Sequence, residues 1–370
     1  MVPEFNVAAA VAYNARVQGT IWKAADLPPR FRRLASEVVP VWAEPLAGQV
    51  ALFQALHGLV VDGKLGPATL FAMRDRSNIR LPLRGKGLWI WNESQLPERH
   101  VEQAAAAGIQ HVLIKVADHA SVHPHTLPPE EARRRLRGLF AAYRAAGIQA
   151  VPWVYAGCYE GDSANRPVRL LREAELHMRL AEEMGSGVLV VNAEKGFKRR
   201  YTQAGKTVEH PYYREHATRY LEALRFADLT LLLSSYCFPK THGTFPWAEM
   251  IAGVHGLMPQ TYWSLKKRTA GDPIGAIGAA AAEWRAVGGA AALGKPMAPS
   301  GGLYQTKGGS GWPDWHRPAE IQTFVRTVCE LLVPCATFWW YVAPRDDNRG
   351  KSRVMTAQWN ALANAPWMEG

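Results

Sequence analysis

From residue 87 to the end of the chain, short apolar runs alternate with amphipathic segments. Apolar stretches of strand length fall at 87–91, 111–116, 150–155, 188–192, 230–235, 256–262, 296–300 and 336–341. Between them, at 97–107, 129–146, 170–184, 210–226, 274–287 and 319–332, apolar residues recur three and four apart, the helical period. Glycines at Gly108, Gly147 and Gly185 precede the next apolar run, as expected where a helix ends and the chain turns back into a strand. Eight strands, each followed by a crossover, predict an α/β chain folded as a (β/α)8 TIM-type barrel. A doubly wound sheet would need fewer strands and a phosphate loop, and neither GxGxxG nor GxxxxGK[ST] follows the first strand.

The first 80 residues have a different pattern. They read as helical at 7–17 and 29–36, and as a helix, turn and helix over 50–73. Leu52, Phe53 and Leu56 form an apolar stripe, Asp62-Gly63 is a turn signal, and Gly66-Pro67 starts the next helix where a missing N–H costs nothing. Leu65, Leu70 and Met73 can then close a small core. A polar, basic stretch at 74–86, ending near Pro82 and Gly85, reads as a linker. The expected organisation is a small all-helical domain at 1–80 and a barrel domain at 81–370.

Composition narrows the choice of partner. A chain of 370 residues, 48% hydrophobic and 20% charged, has ample core for two such parts. A net charge of +11 favours an anionic partner. Nucleic acid is not expected, because clusters such as Arg133-Arg134-Arg135 and Lys198-Arg199-Arg200 come with no nucleic-acid-binding signature. Cys158, Cys237, Cys329 and Cys335 are too scattered for a disulfide framework and form no CxxC pair. No signal-like start and no membrane-length apolar run is present, so synthesis in the cytoplasm and no membrane span are expected. The chain is expected to be a monomer without a cofactor or metal. Work at a cell wall would then require release or delivery by a pore, a phage tail or another injection particle.

The combination Phe-Gln-x-x-x-Gly-Leu-x-Val-Asp-Gly-x-x-Gly-Pro-x-Thr, from Phe53 to Thr69, resembles the peptidoglycan-binding domain family, small three-helix modules of bacterial and phage cell-wall enzymes. The resemblance covers about 25 residues. It implies bacterial peptidoglycan as partner, with Asp62, Gly63, Gly66, Pro67 and Thr69 as wall-binding positions. One departure is that the family continues into a further helix, whereas residues 74–78 here are polar; the missing packing is expected from residues 5–16.

In a barrel of this kind the working groups sit at the C-terminal strand ends. Those ends carry Trp89 and Trp91, Asp118, Trp153 and Tyr155 (with Glu160 beyond), Asn192 and Glu194, Tyr236, Gln260 and Tyr262, and Trp339 and Trp340. Asn192 and Glu194 are two apart and project to one side of a strand. A carboxylate following a buried apolar run is expected to be partly desolvated, which raises its pKa as a general acid requires. The alternative is a glutamate just past the strand, paired with Lys195 or Lys115. The aromatic residues suit sugar rings, offering an apolar face and a polar tip. Three histidines at 119, 123 and 125 could serve a metal-dependent amidase, but without HExxH or a comparable spacing they read as a surface loop.

A barrel with a strand-four Asp-x-Glu, aromatic strand ends and such a module resembles the family-25 glycoside hydrolases, which are muramidases, as found in phage endolysins. The resemblance implies a peptidoglycan hydrolase with Glu194 as catalytic acid. Here Asn192 replaces the aspartate two residues before the acid, and Trp89 or Trp91 stands in place of the first-strand aspartate. An amide cannot be a base or nucleophile. Asn192 could instead orient a substrate N-acetyl group for internal attack, or a second carboxylate could come from Asp118 or Glu160. Two other readings stay open: a non-catalytic wall- or glycan-binding protein with a degenerate barrel, and an unrelated barrel enzyme with a helical appendage.

Overall fold

A computed structural model describes residues 4–23, 25, 27–28, 31–32, 43–74, 81–157, 166–203, 206–263, 271–306, 317–339, 352–354 and 356–367. Eight parallel strands form one sheet: β1 Gly85–Ile90, β2 Ile109–Asp118, β3 Gln149–Ala156, β4 Val188–Ala193, β5 Thr230–Tyr236, β6 Gly256–Gln260, β7 Ser300–Gly302 and β8 Cys335–Trp339. β1 pairs with both β2 and β8, so the sheet closes into the expected barrel. Helices α1 Val7–Val17, α2 Ala43–His57 and α3 Pro67–Arg74 precede it. Each strand is then followed by one helix: α4 His100–Ala106, α5 Pro129–Ala145, α6 Arg166–Glu183, α7 Tyr213–Leu224, α8 Trp247–Ala252, α9 Pro273–Gly288, α10 Pro318–Glu330 and α11 Thr356–Ala363.

Strand alternation divides the apolar residues between two cores. Leu88, Ile90, Val112 and Ile114 pack outwards against the helices, whereas Trp89, Leu113, Val151, Trp153, Val190, Leu232 and Met258 fill the interior. Leu81 and Leu83 join Cys335 at the lower end of this inner core. The stretch read as a linker at 74–86 is therefore part of the barrel at its C-terminal end: two leucines close the bottom and Gly85 and Lys86 begin β1, while 75–80 lie outside the described residues. The Lys86 side chain is buried and donates to the carbonyls of Leu362, Ala363 and Ala365 at 3.0–3.2 Å, joining the last helix to the first strand.

Strand seven differs from the expected 296–300. Its ladder starts at Ser300, which pairs with Gln260 and Thr337, and only a single bridge, Leu257 to Met297, precedes it. Pro296 and Pro299 lack the N–H a ladder needs, which explains the late start. Strand six ends at Gln260 rather than 262, because Thr261 N and Tyr262 N turn back onto the carbonyls of Pro259 and Gln260.

In the helical segment, Gln54 organises the turn between α2 and α3. Its Oε1 accepts from Asp62 N and Gly63 N, and its Nε2 donates to Asp62 Oδ1, Lys64 O and Thr69 Oγ1. From α1, Asn14 donates to Gly63 O and accepts from Leu65 N, so the N-terminal helix covers the turn. Gly63 has φ +67°, and a Cβ there would come within 2.4 Å of the Phe5 ring. The end of α2 is held on the barrel: Arg285 Nε donates to Ala55 O, Met297 N to Leu56 O and Gly294 N to Gly58 O, while His57 Nε2 lies 2.8 Å from Leu331 O. Replacing Gln54 by Leu strands several buried polar groups, so a loss of about 2–4 kcal/mol is expected. Urea unfolding of the full chain, with hydrogen exchange followed over 43–74, measures it; unchanged protection there would mean that the turn does not depend on Gln54.

Candidate functional site

The upper layer of the barrel interior is where aromatic and polar groups meet. Trp91, Tyr155 and Trp339 are partly exposed there, above the inner core. The rings of Trp91, Trp153 and Trp339 lie 5.7–5.8 Å apart, with Trp89 beneath them. Trp89 and Trp153 are 1% and 0% exposed, with indole N–H groups donating to Thr337 Oγ1 and Ile90 O. The sugar-stacking role expected of those two is corrected accordingly: they are core, because a strand position one residue pair below the rim is closed over by the pair above it. Tyr262 is partly exposed just past β6, while Trp340 and Glu160 lie outside the described residues.

At the ends of β4 and β6, one side chain joins two others. Gln260 Nε2 donates to Asn192 Oδ1 and to Glu194 Oε1, each at 3.0 Å. Its two amide hydrogens thus go one to an amide and one to a carboxylate. Asn192 is buried and Glu194 half-buried. Since its oxygen is engaged, Asn192 keeps its NH2 as a donor. Backbone contacts fix the strand end: Ser235 Oγ donates to Ala193 O, and the loops after β3 and β4 touch at Gly157 and Gly196. A Cβ on either glycine would lie 2.8 Å from the other's Cα, so any larger residue would push Glu194's loop away.

Tyr236 stands beside this pair. Burial, and then the nearby Glu194, hold its hydroxyl well above the ordinary tyrosine range, so it stays a neutral donor. Its ring stacks on His242 at 3.7 Å, and Lys198 Nζ lies 4.6 Å from its centroid and 2.9 Å from His242 Nδ1. Burial lowers the Lys198 pKa while Glu194 opposes that.

Across the mouth, Lys115 Nζ sits 3.7 Å from the Trp91 ring centroid and 2.8 Å from Asp118 Oδ2. Burial lowers the Lys115 pKa, and Asp118 opposes it. Burial also works against Asp118's charge, but the Lys115 ammonium outweighs it and holds the carboxyl below its ordinary range. Asp118 is thus an ion-paired carboxylate rather than a proton donor. Lys115, offered above as a partner of Glu194, is committed to Asp118.

The histidine loop departs from its reading as surface. Strand 121–122 folds back on β2, pairing Ala117 with Val122, and His123 is 5% exposed. Asp118, His123 and His125 each offer a ligand atom within 4.8 Å of the others. Next to them opens a cleft of about 1140 Å³ whose described lining includes Trp91, Asp118, His125, Tyr155 and four basic side chains, Arg169, Arg172, Arg179 and Lys195. Asn192, Glu194 and Gln260 are not part of that lining; they lie on the β4–β6 side of the mouth.

Two buried groups escape a reading confined to strand ends. Glu173 Oε1 accepts from Gly157 N at 2.8 Å, and burial raises its pKa to about 8. His177 lies 2.7 Å from Tyr220 Oη and 2.9 Å from His119 O. Both sit on the apolar stripe of α6 with Leu170, Ala174 and Ala181, and a polar residue at a core-facing helical position is the signal that could have found them. The wall-binding positions are placed variously: Gly63 and Thr69 are buried, Asp62 and Gly66 half-buried, and Pro67 exposed.

Burial moves His57 and His111 down to about 4 and His177 to about 3, against 6.5 for the free side chain. A histidine whose folded pKa is depressed favours the fold above its unfolded pKa and loses that contribution as pH falls through the folded value. Stability is therefore expected to fall from about pH 6.5 towards pH 4, each tenfold preference for the neutral form being worth about 1.4 kcal/mol. Urea midpoints across that range measure it, and a flat profile would contradict the burial of these rings.

No protein-family model matches the chain. No curated protein matches it. Its fold is that of several solved glycoside hydrolases. A chitinase from Rhizomucor miehei aligns with a TM-score of 0.52 and 11% identity, over 76% of this chain and 100% of that one. The class V chitinase from Nicotiana tobaccum gives 0.51 and 12%, over 77% and 100%. A glycoside hydrolase family 18 N-acetylglucosaminidase from Paenibacillus barengoltzii gives 0.50 and 12%, over 77% and 100%. At these identities the likeness is one of fold.

Proposed function

We propose that the chain is a glycoside hydrolase acting on an N-acetylated glycan, with bacterial peptidoglycan as substrate and Glu194 as the general acid. The observation that carries the reading is the single Gln260 amide holding Asn192 and Glu194 together at the barrel mouth. Fold relatives that hydrolyse chitin and N-acetylglucosaminides support it, since both are N-acetylated sugars. The net charge of +11 favours an anionic wall glycan over a neutral one, while the cleft wall mixes Arg169, Arg172, Arg179 and Lys195 with Asp118, Glu173 and Glu175.

The chemistry follows from which groups are available. Asp118 is held by Lys115, and Asn192 cannot ionise, so a two-carboxylate scheme has no second partner among these described groups. Substrate-assisted cleavage needs none. Glu194 gives its proton to the glycosidic oxygen as the bond from C1 breaks, and the substrate's acetamido carbonyl oxygen bonds to C1 from the opposite face. Water then adds to C1, passes a proton to the Glu194 carboxylate and releases the acetamido group, with retention. Asn192, oriented by Gln260, positions the acetamido group by a hydrogen bond. A muramidase of the family-25 kind would need the second carboxylate from elsewhere. The aspartate-to-asparagine change at 192 favours a second reading, a glycan-binding protein without catalysis.

Glu194→Gln keeps the shape of the site and removes the acid, so hydrolysis of purified sacculi should drop about 10²–10⁴-fold with the fold intact. Asn192→Ala should cost as much if the acetamido group is the nucleophile, and much less if another group attacks. Mass spectrometry of the released fragments identifies the bond cut. Wild-type protein that binds sacculi of several wall types and cuts none would leave the binding reading.

The helical segment is proposed to hold the wall. The full chain should co-sediment with sacculi, and raising salt should weaken but not abolish the association, because charge attraction is screened while contacts with the helical unit are not. A chain starting at residue 81 that sediments as well as the full chain would remove that role.

A further inference from the structure

We propose that Asp118, His123 and His125 form a binding site for a divalent transition-metal ion of the zinc class. The three residues come together because β2 ends at Asp118 and the chain doubles back at once: Asp118 pairs with Ser121, and His123 N donates to Val116 O. One ligand atom from each residue lies within 4.8 Å of the other two.

His123 supplies a second, independent observation. It is buried, with the Trp91 backbone holding one ring nitrogen loosely and the other without a hydrogen-bond partner among the described residues. A buried imidazole nitrogen left without a partner is costly, and such a group calls for a ligand. Trp91 closes off one side, with ring centroids 6.4 Å apart. His125, 6.2 Å from His123 by ring centroids, is exposed and free to turn inwards. Bonds of about 2.0–2.2 Å put neighbouring ligand atoms on one ion about 3–4 Å apart, so a small rotation of His125 completes the set.

Two imidazoles and a carboxylate suit zinc-class ions and leave positions open for water or a ligand oxygen. Asp118 and His125 both line the 1140 Å³ cleft, so ion and ligand would enter by the same route. The opposing feature is Lys115, whose ammonium sits 2.8 Å from Asp118 Oδ2 and shares the carboxylate. Affinity is accordingly expected to be weaker than at a closed four-ligand site. The proposal does not rest on the glycosidase reading, where none of these three residues carries a step.

The test uses the full chain, stripped with chelator and titrated with Zn²⁺ by calorimetry, with Co²⁺ absorption as a report on coordination. The wild type should take up one equivalent, and His125→Ala and His123→Gln should each weaken binding about tenfold or more. His125 is exposed, so its variant is expected to fold normally. Failure of the wild type to bind one equivalent overturns the proposal. So does wild-type affinity in the double variant, which would mark uptake by other surface groups.

Discussion

Closure of the parallel sheet is the constraint on which the rest depends. With β1 bonded on both sides, the eight parallel strands close on themselves, and every second side chain must fit inside a cylinder already crowded by Trp89 and Trp153. Polar chemistry is thereby confined to the layer above these rings. Lys115 lies at the boundary, where Asp118 and the face of Trp91 offset the loss of water around its charge. Asn192 and Gln260 occupy the same level on strands two apart in the sheet, with β5 between them, which is why one amide can reach the other across the mouth.

The barrel was legible because parallel strands covered on both faces leave continuous apolar runs, and because the helices between them keep a clean period. Even the pair Asn192 and Glu194 could be placed, since two residues on one strand share a side. What the sequence hid was mostly distance. Gln260 is far from Glu194 along the chain and was only one of several strand-end groups. The burial of Trp89 depends on Trp91 and Trp339 above it, and no local pattern states that. The ends of strands six and seven were misplaced because prolines and tight backbone turns overrode an apolar run.

The histidine loop is only partly surface, for a different reason. Without HExxH or a comparable spacing it reads as a surface loop, yet a two-residue return strand buries His123 against Trp91. Glu173 and His177 lie on a helix rather than at a strand end, and α6 brings them to the underside of the same loops.

The attachment of the helical unit has a directional consequence. It is bonded near the ends of α9 and α10 and beside the start of β6, which is the end of the barrel opposite the mouth. The helical unit and a polymer lying in the mouth would therefore be held at opposite ends of the barrel. The distance between the two would be set by the height of a rigid body rather than by the slack of a tether.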